Sequence, residues 1–235
     1  MISGSRLRNA TCRLARSEDE MAHVFRLRYQ CYLRTGAIMP SEEQSFSDPF
    51  DHLPNQFSFL LDTEAERNAA SIRISVVRPD LGWVMAPSSK VFGGDPCFEA
   101  IAQGSFVEAS RLCFREQAHR DLLYRLIANL AAAGDYFRAE WVVACPRVEH
   151  SHMYMRLFGF RSIAPARQYL GVNFRTDLLA IRLEELRRVA VRYGCMRSAW
   201  QAGLATLANA LDPAVRQSRT GRAARYPEPG QSCGW

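Results

Sequence analysis

The decapeptide Ser105-Phe106-Val107-Glu108-Ala109-Ser110-Arg111-Leu112-Cys113-Phe114 reads as a strand, apolar along most of its length, with an acid and a base set inside it. Charges in such a segment must be paired or face a cavity, because an isolated buried charge is strongly disfavoured. Regular alternation would send Glu108 and Arg111 to opposite faces. Either the two do separate work, or a bulge re-aims one of them, and bulges are frequent beside active sites. A second charge in a strand, Arg73, lies in the apolar run Ala70–Val77.

Outward from this strand the chain alternates element types. A short strand is expected at Ala10–Arg16. A helix starts at Ser17, with Glu18, Asp19 and Glu20 in its first turn, and ends at Gly36; Met21, Val24, Phe25, Leu27, Arg28, Cys31 and Tyr32 form its apolar stripe. A polar loop, Pro40–Pro54, precedes strands at Phe57–Asp62 and Ala70–Val77. Arg78–Gly104, rich in Pro and Gly, reads as a long connection. After the central strand come a helix at His119–Ala133 stopped by Gly134, a strand at Glu140–Cys145, a helix at Val148–Leu157 stopped by Gly159, and a closing strand pair at Ala166–Phe174 and Leu178–Leu183. The order predicts an α/β fold, a mixed sheet covered by helices. Residues 1–184 form the main domain. Residues 185–235 add one or two helices over Glu184–Leu211 and a loose basic tail.

The 235 residues carry 30 basic and 24 acidic side chains, a formal charge of +6. Up to Glu184 there are 22 basic and 21 acidic residues, and after it 8 and 3, so the excess lies at the C-terminal end. A nearly neutral body argues against nucleic-acid binding, which needs a basic face on the core fold. No apolar run reaches the roughly 18 residues of a spanning helix, and Met1–Ala15 has no secretory pattern. Seven scattered cysteines without a C-x-x-C pair read as reduced thiols of a cytoplasmic protein. His150 and His152 alone are too few ligands for a metal. Cys113 and Cys145 read as inert packing, since no histidine lies near either in sequence.

The polar residues form an ordered series: Arg28 in the first helix, Tyr32 four residues on, Asp48 and Asp51 in the loop, Arg73 on a strand, and Glu108-Ala109-Ser110-Arg111 on the next. Asp48-Pro49-Phe50-Asp51 also reads as the cap and first turn of a short helix. The series resembles the acyl-homoserine-lactone (autoinducer) synthases, a branch of the GNAT-type N-acyltransferases, from about Arg13 to Leu183. The motifs Ser47-Asp48-Pro49-Phe50-Asp51-His52, Pro87-Ser88-Ser89-Lys90-Val91-Phe92-Gly93 and Val107–Cys113 are more similar to the related N-acyl amino acid synthases. Gly36, Ala37 and Ile38 stand where autoinducer synthases place a tryptophan near the amine substrate. The resemblance implies a GNAT-like, mostly antiparallel sheet whose strands Ser105–Phe114 and Glu140–Cys145 splay to admit pantetheine.

The implied reaction is attack of an amine on an acyl thioester. Phe114–Leu122 (FREQAHRDL) has no glycine to cradle a nucleotide pyrophosphate at a helix N-terminus. The expected donor is therefore a long-chain acyl-phosphopantetheine on an acidic acyl carrier protein, with no permanently bound cofactor. Arg115, Arg120, Arg147 and Arg156 are candidates to attract that carrier. The expected acceptor is an amino acid. The alternatives are S-adenosylmethionine in an autoinducer synthase, or a non-catalytic GNAT-shaped binding protein. Glu108, Arg111 and Ser110 are the candidate catalytic residues, with Glu108 the base, direct or through water. Arg28, Tyr32, Asp48, Asp51 and Arg73 are the candidate substrate-binding residues. Arg28, Arg73 and Arg111 with Asp48 and Asp51 are expected to form a charged network that binds the acceptor's carboxylate and fixes the loop over it, the arginines being suited to a carboxylate. Phe106, Leu112, Phe114, Trp141, Val143, Met155 and Phe158 are candidates for an acyl tunnel. Arg216, Arg219, Arg222 and Arg225 in the tail offer peripheral contact with a membrane surface.

Overall fold

Ser17 begins the first helix, α1 (Glu18–Arg34), as the sequence predicts: its Oγ accepts from the Glu20 N–H at 3.1 Å and the Glu20 carboxylate accepts from the Ser17 N–H at 3.3 Å. The other end closes at Gly36, whose φ of 65° allows the Gly36 and Ala37 N–H groups to reach the carbonyls of Leu33 and Tyr32. The buried side of α1 carries Val24, Leu27, Arg28 and Cys31, so Arg28 lies on the apolar stripe. The computed structural model describes residues 10–116 and 120–211. The tail arginines and Cys233 lie outside the described residues.

Seven strands form one sheet in the order β1-β2-β3-β4-β5-β7-β6. They are β1 (Thr11–Leu14), β2 (Gln56–Asp62), β3 (Ala70–Val77), β4 (Phe106–Phe114), β5 (Trp141–Ala144), β6 (Arg161–Gln168) and β7 (Arg175–Arg182). Only β4 and β5 run parallel, joined by α4 (Arg120–Tyr136); the other neighbours are antiparallel. The main core lies under α4 and α7 (Gly194–Ala210), where Val107 and Ala109 of β4 meet Leu126, Ile127, Leu130 and Leu207. The opposite face carries two smaller clusters. Val24, Leu27, Cys31, Leu60 and Cys113 pack under α1, while Phe92, Phe98, Ile101, Phe106 and Val143 pack under α2 (Pro87–Phe92) and α3 (Pro96–Ala102).

Several elements differ from expectation. Arg78–Gly104 is not one irregular connection: Pro87 and Pro96 each open a short helix, the second capped by Asp95. Helix α4 does not stop at Gly134 but runs through it, because the glycine admits close packing; a Cβ there would stand 2.9 Å from Leu183 Cδ1. The last hairpin begins earlier than expected, with β6 at Arg161, so Tyr169–Phe174 is its turn rather than a strand. Helix α6 (Leu183–Arg192) follows β7 directly, and Met196, Ala199 and Leu207 of α7 join the main core. Helix α5 (Val148–Phe158) stops at Gly159, which has φ 79°.

Candidate active site

The register of β3 against β4 breaks between Ser71↔Cys113 and Arg73↔Ser110, so Arg111 and Leu112 together oppose Ile72. Arg111 takes a left-handed φ of 54° at this bulge. The extra residue lets Ser110 and Arg111 both turn toward α1 and the loop after it, while Leu112 packs against the main core. The bulge thus resolves the conflict between strand alternation and the Glu-x-x-Arg spacing.

Five charged side chains then close on one another. Asp48 and Asp51 cap a 3-10 turn, Pro49–His52, and accept from arginines at the same time. Arg28 Nη1 donates to both oxygens of Asp51 at 2.8 Å. Arg73 Nη1 lies 2.6 Å from Asp48 Oδ1 and 3.0 Å from Asp51 Oδ1, and Arg73 Nε donates to Ser110 Oγ at 3.0 Å. Arg111 donates from Nε and Nη2 to Asp48 Oδ2, at 2.9 and 2.6 Å, and from Nη2 to the Leu170 carbonyl at 3.0 Å. The arginines hold both carboxylates below the ordinary range, although burial opposes this. Three cations face two anions, and Arg111 Nη1 is buried with no hydrogen-bond partner. The Arg111 guanidinium is boxed by the rings of Phe46 (4.8 Å), Tyr169 (5.5 Å) and Tyr32 (5.9 Å).

Glu108 sits apart from this cluster, fully buried. Its Oε2 accepts from the backbone N–H and the hydroxyl of Ser88, at 2.9 and 2.5 Å, and its Oε1 accepts from the Tyr169 hydroxyl at 3.3 Å. Burial raises its pKa above the usual carboxylate range. Tyr169 is pushed well up by burial and by the Glu108 charge, as is the Cys145 thiol beside them. A thiol so held is a poor nucleophile.

Strands β4 and β5 pair only as far as Ala109↔Ala144, and β4 continues to Phe114 without a β5 partner. A cavity of about 260 Å³ opens there, lined by Tyr32, Ser110, Arg111, Cys145, Tyr154 and Tyr169 among others. Leu112, Phe114, His150 and Tyr154 also line a larger cavity of about 750 Å³, which reaches Arg120 at the start of α4 and Arg156 on α5. A third cavity, open and about 700 Å³, lies beyond Tyr169 along Phe46 and Gly171.

The expected residues are only partly brought together. Tyr32, Ser110 and Arg111 reach the cavity wall, whereas Arg28, Asp48, Asp51 and Arg73 stand behind it as an ion-paired support. Arg28 and Arg73 have no exposed surface and, unlike Arg111, do not line this cavity. Glu108 is likewise behind the wall. The seven proposed tunnel residues do not share one space: Leu112 and Phe114 line both cavities, while Phe106, Trp141 and Val143 pack under α2 and α3, and Met155 and Phe158 pack against the main core on the other face. Among the proposed carrier-attracting arginines, Arg120, Arg147 and Arg156 border the cavities, and Arg115 pairs with Glu66 at 2.8 Å. Tyr169 and Ser88 were not among the sequence candidates as individual side chains with a role. Among the described residues no group of His, Cys, Asp and Glu is arranged to hold a metal.

Residues 23–182 match the family described as N-acyl amino acid synthase FeeM. The chain belongs to this family. It is an N-acyltransferase with a GNAT-type fold. Among solved structures it is similar to FeeM, an N-acyl amino acid synthase from uncultured soil microbes, with 14% identity, TM-score 0.63 and coverage of 77% of this chain and 94% of that one. It is also similar to the acyl-homoserine-lactone synthase LasI (14% identity, TM-score 0.56, 74% and 90% covered). A third likeness is to BjaI, a CoA-dependent acyl-homoserine-lactone synthase solved with SAM and isopentyl-CoA (15% identity, TM-score 0.55, 81% and 99% covered). No curated protein sequence matches the chain. No helix among the described residues is long and apolar enough to cross a membrane.

Proposed function

We propose that the protein moves a long-chain acyl group from the phosphopantetheine thioester of an acyl carrier protein to the amine of an amino acid. The observation that carries the acceptor assignment is Arg111. Of the three arginines in a cluster with one cation in excess, each has one buried N–H group without a partner, and Arg111 is the one that lines the cavity where β4 and β5 part. An α-carboxylate supplies the missing acceptor and the missing negative charge. The ion pair of Arg111 with Asp48 supports this by fixing its fork, so that little side-chain entropy is lost on binding.

The donor assignment draws on the groove. Pantetheine is a chain of amides, and the unpaired edge of β4 beyond Ala109 offers it strand-like hydrogen bonds. The passage from the larger cavity to the smaller one along Leu112, Phe114 and Tyr154 leads toward Arg111. Attack of the amine on the thioester carbonyl then generates a tetrahedral oxyanion beside the bulge, where backbone N–H groups of β4 are the nearest donors. Ser110, held by Arg73, fixes the wall at this point, and Glu108 is the base.

The test is product mass. Purified protein is given long-chain acyl carrier protein or acyl-CoA, with a mixture of amino acids or with S-adenosylmethionine. The proposal predicts an N-acyl amino acid formed from the carrier-protein donor. An acyl-homoserine lactone contradicts the acceptor assignment, and an equal or higher rate from acyl-CoA contradicts the donor assignment.

A further inference from the structure

A base must exchange a proton with its substrate, yet Glu108 has no exposed surface and does not line the acceptor cavity. Both its oxygens are already engaged. Oε2 holds two donors from Ser88, and Oε1 holds the hydroxyl of Tyr169, which itself lines the cavity. The phenol oxygen therefore stands between the carboxylate and the place where an amine binds. The groups that face this pair are Arg73, Arg111 and Cys145, besides Ser88. Neither arginine accepts a proton, and the Cys145 thiol has no hydrogen bond to Glu108 in the structure.

We infer that Tyr169 is a catalytic residue, relaying the proton of the acceptor ammonium to Glu108. This rests on the proposed binding of the acceptor amine in the cavity beside Arg111. The ammonium gives one proton to Tyr169 Oη as the phenol proton passes to Glu108 Oε1, which leaves tyrosine neutral, glutamate protonated and the amine free. Its lone pair forms the carbon–nitrogen bond and the carbon–sulfur bond breaks. The second amine proton ends on the departing sulfur, and the proton on Glu108 returns to solvent once product leaves. The surroundings suit each step. Burial makes Glu108 a stronger base than an exposed carboxylate, and it keeps the phenol protonated until the carboxylate takes its proton.

Tyr169 sits where the hairpin of β6 and β7 turns, held by its N–H to the Phe174 carbonyl at 3.2 Å and by Gly171, which takes φ 68°. Its ring also lies 5.5 Å from the Arg111 guanidinium, so one side chain touches both the proposed carboxylate site and the proposed base.

The experiment compares Tyr169→Phe with the native chain on two acceptors. One is the protonated amine that the product assay identifies. The other is its α-aminooxy analogue, which keeps the carboxylate and carries an O–NH2 nucleophile that is unprotonated at neutral pH. The inference predicts a loss of about 10²-fold or more in kcat with the ordinary amine. It predicts near-native turnover with the unprotonated analogue, and recovery of the ordinary amine as pH rises. Glu108→Gln should give the same split. An equal loss with both acceptors, or no loss with either, overturns the relay. If Tyr169→Phe does not fold, 3,5-difluorotyrosine at 169 keeps the packing and makes the phenol more acidic. It should move the alkaline limb of the pH profile downward for the amine only, and an unmoved limb overturns the relay. The acceptor site is tested separately: Arg111→Lys should raise the KM of an acceptor with a free carboxylate and leave that of its ester unchanged. Failure there marks the carboxylate contact at Arg111, not the relay, as wrong.

Discussion

Asp48 ties three parts of the chain together, because one carboxylate serves Arg73, Arg111 and the Phe50 N–H. Replacing it with Asn leaves two buried guanidinium groups short of a counter-charge, a loss of about 3–5 kcal/mol. Denaturant unfolding of Asp48→Asn should show that loss at neutral pH. The sign with pH follows from the direction of the shift: both aspartates are held low, so their stabilisation is complete above about pH 4 and is lost as pH falls toward their folded values. The variant should therefore lose less stability on acidification than the native protein. Glu108 works in the opposite sense, its raised pKa costing stability as pH climbs through it. At this scale the sequence announces Glu108, Arg111 and Arg73, because charged side chains inside apolar strands are costly and demand a reason. It does not announce Tyr169. A tyrosine near a turn is commonplace, and its meaning comes from a contact with Glu108, 61 positions away. The pairing of Asp48 and Asp51 with the three arginines is expected as one charged network, and the ion pairs are there; nothing local tells which of the three arginines reaches a cavity.

At the scale of elements, glycine was the ambiguous signal. Gly36 and Gly159 end their helices with positive φ, whereas Gly134 and Gly203 sit inside helices to let them approach. A Cβ on Gly203 would meet Asn129 Oδ1 at 2.8 Å and Ala132 Cβ at 2.9 Å, so α7 lies close on α4 there. Gly203→Val should destabilise the protein by about 1–3 kcal/mol through overpacking, despite removing a helix-disfavouring glycine. Thermal unfolding decides it; an unchanged or raised midpoint would mean that α7 is not seated on α4 as described. The capped helix α1 and strands β2, β3 and β4 are readable from a hydroxyl cap, an acidic first turn and short apolar runs. The helices α2 and α3 were masked by their brevity and by the Gly-Pro composition around them. The same prolines that suggest a loop stand at the first helical positions. The bulge was foreseeable only as one of two ways to reconcile Glu108 with Arg111, and the register of β3 against β4 selects it.

Across the whole molecule, the helices α4, α5, α6 and α7 pack on one face of the sheet around the main core. The other face holds the ion-paired cluster, and the parallel pair β4–β5 parts at the boundary between them. The two cavities share Leu112, Phe114, His150 and Tyr154 in their walls, and together they run from Arg120 and Arg156 to Arg111. The central claim is that an acyl-pantetheine thioester follows this path. A crystal structure with a non-transferable acyl-pantetheine thioether measures it directly. The account predicts density for the pantetheine between Ser110–Phe114 and Ala144–Arg147, its amides bonded to the free edge of β4 and its thioether carbon within reach of an amine held at Arg111. Density for the ligand anywhere else on the protein, with that edge empty, would contradict it.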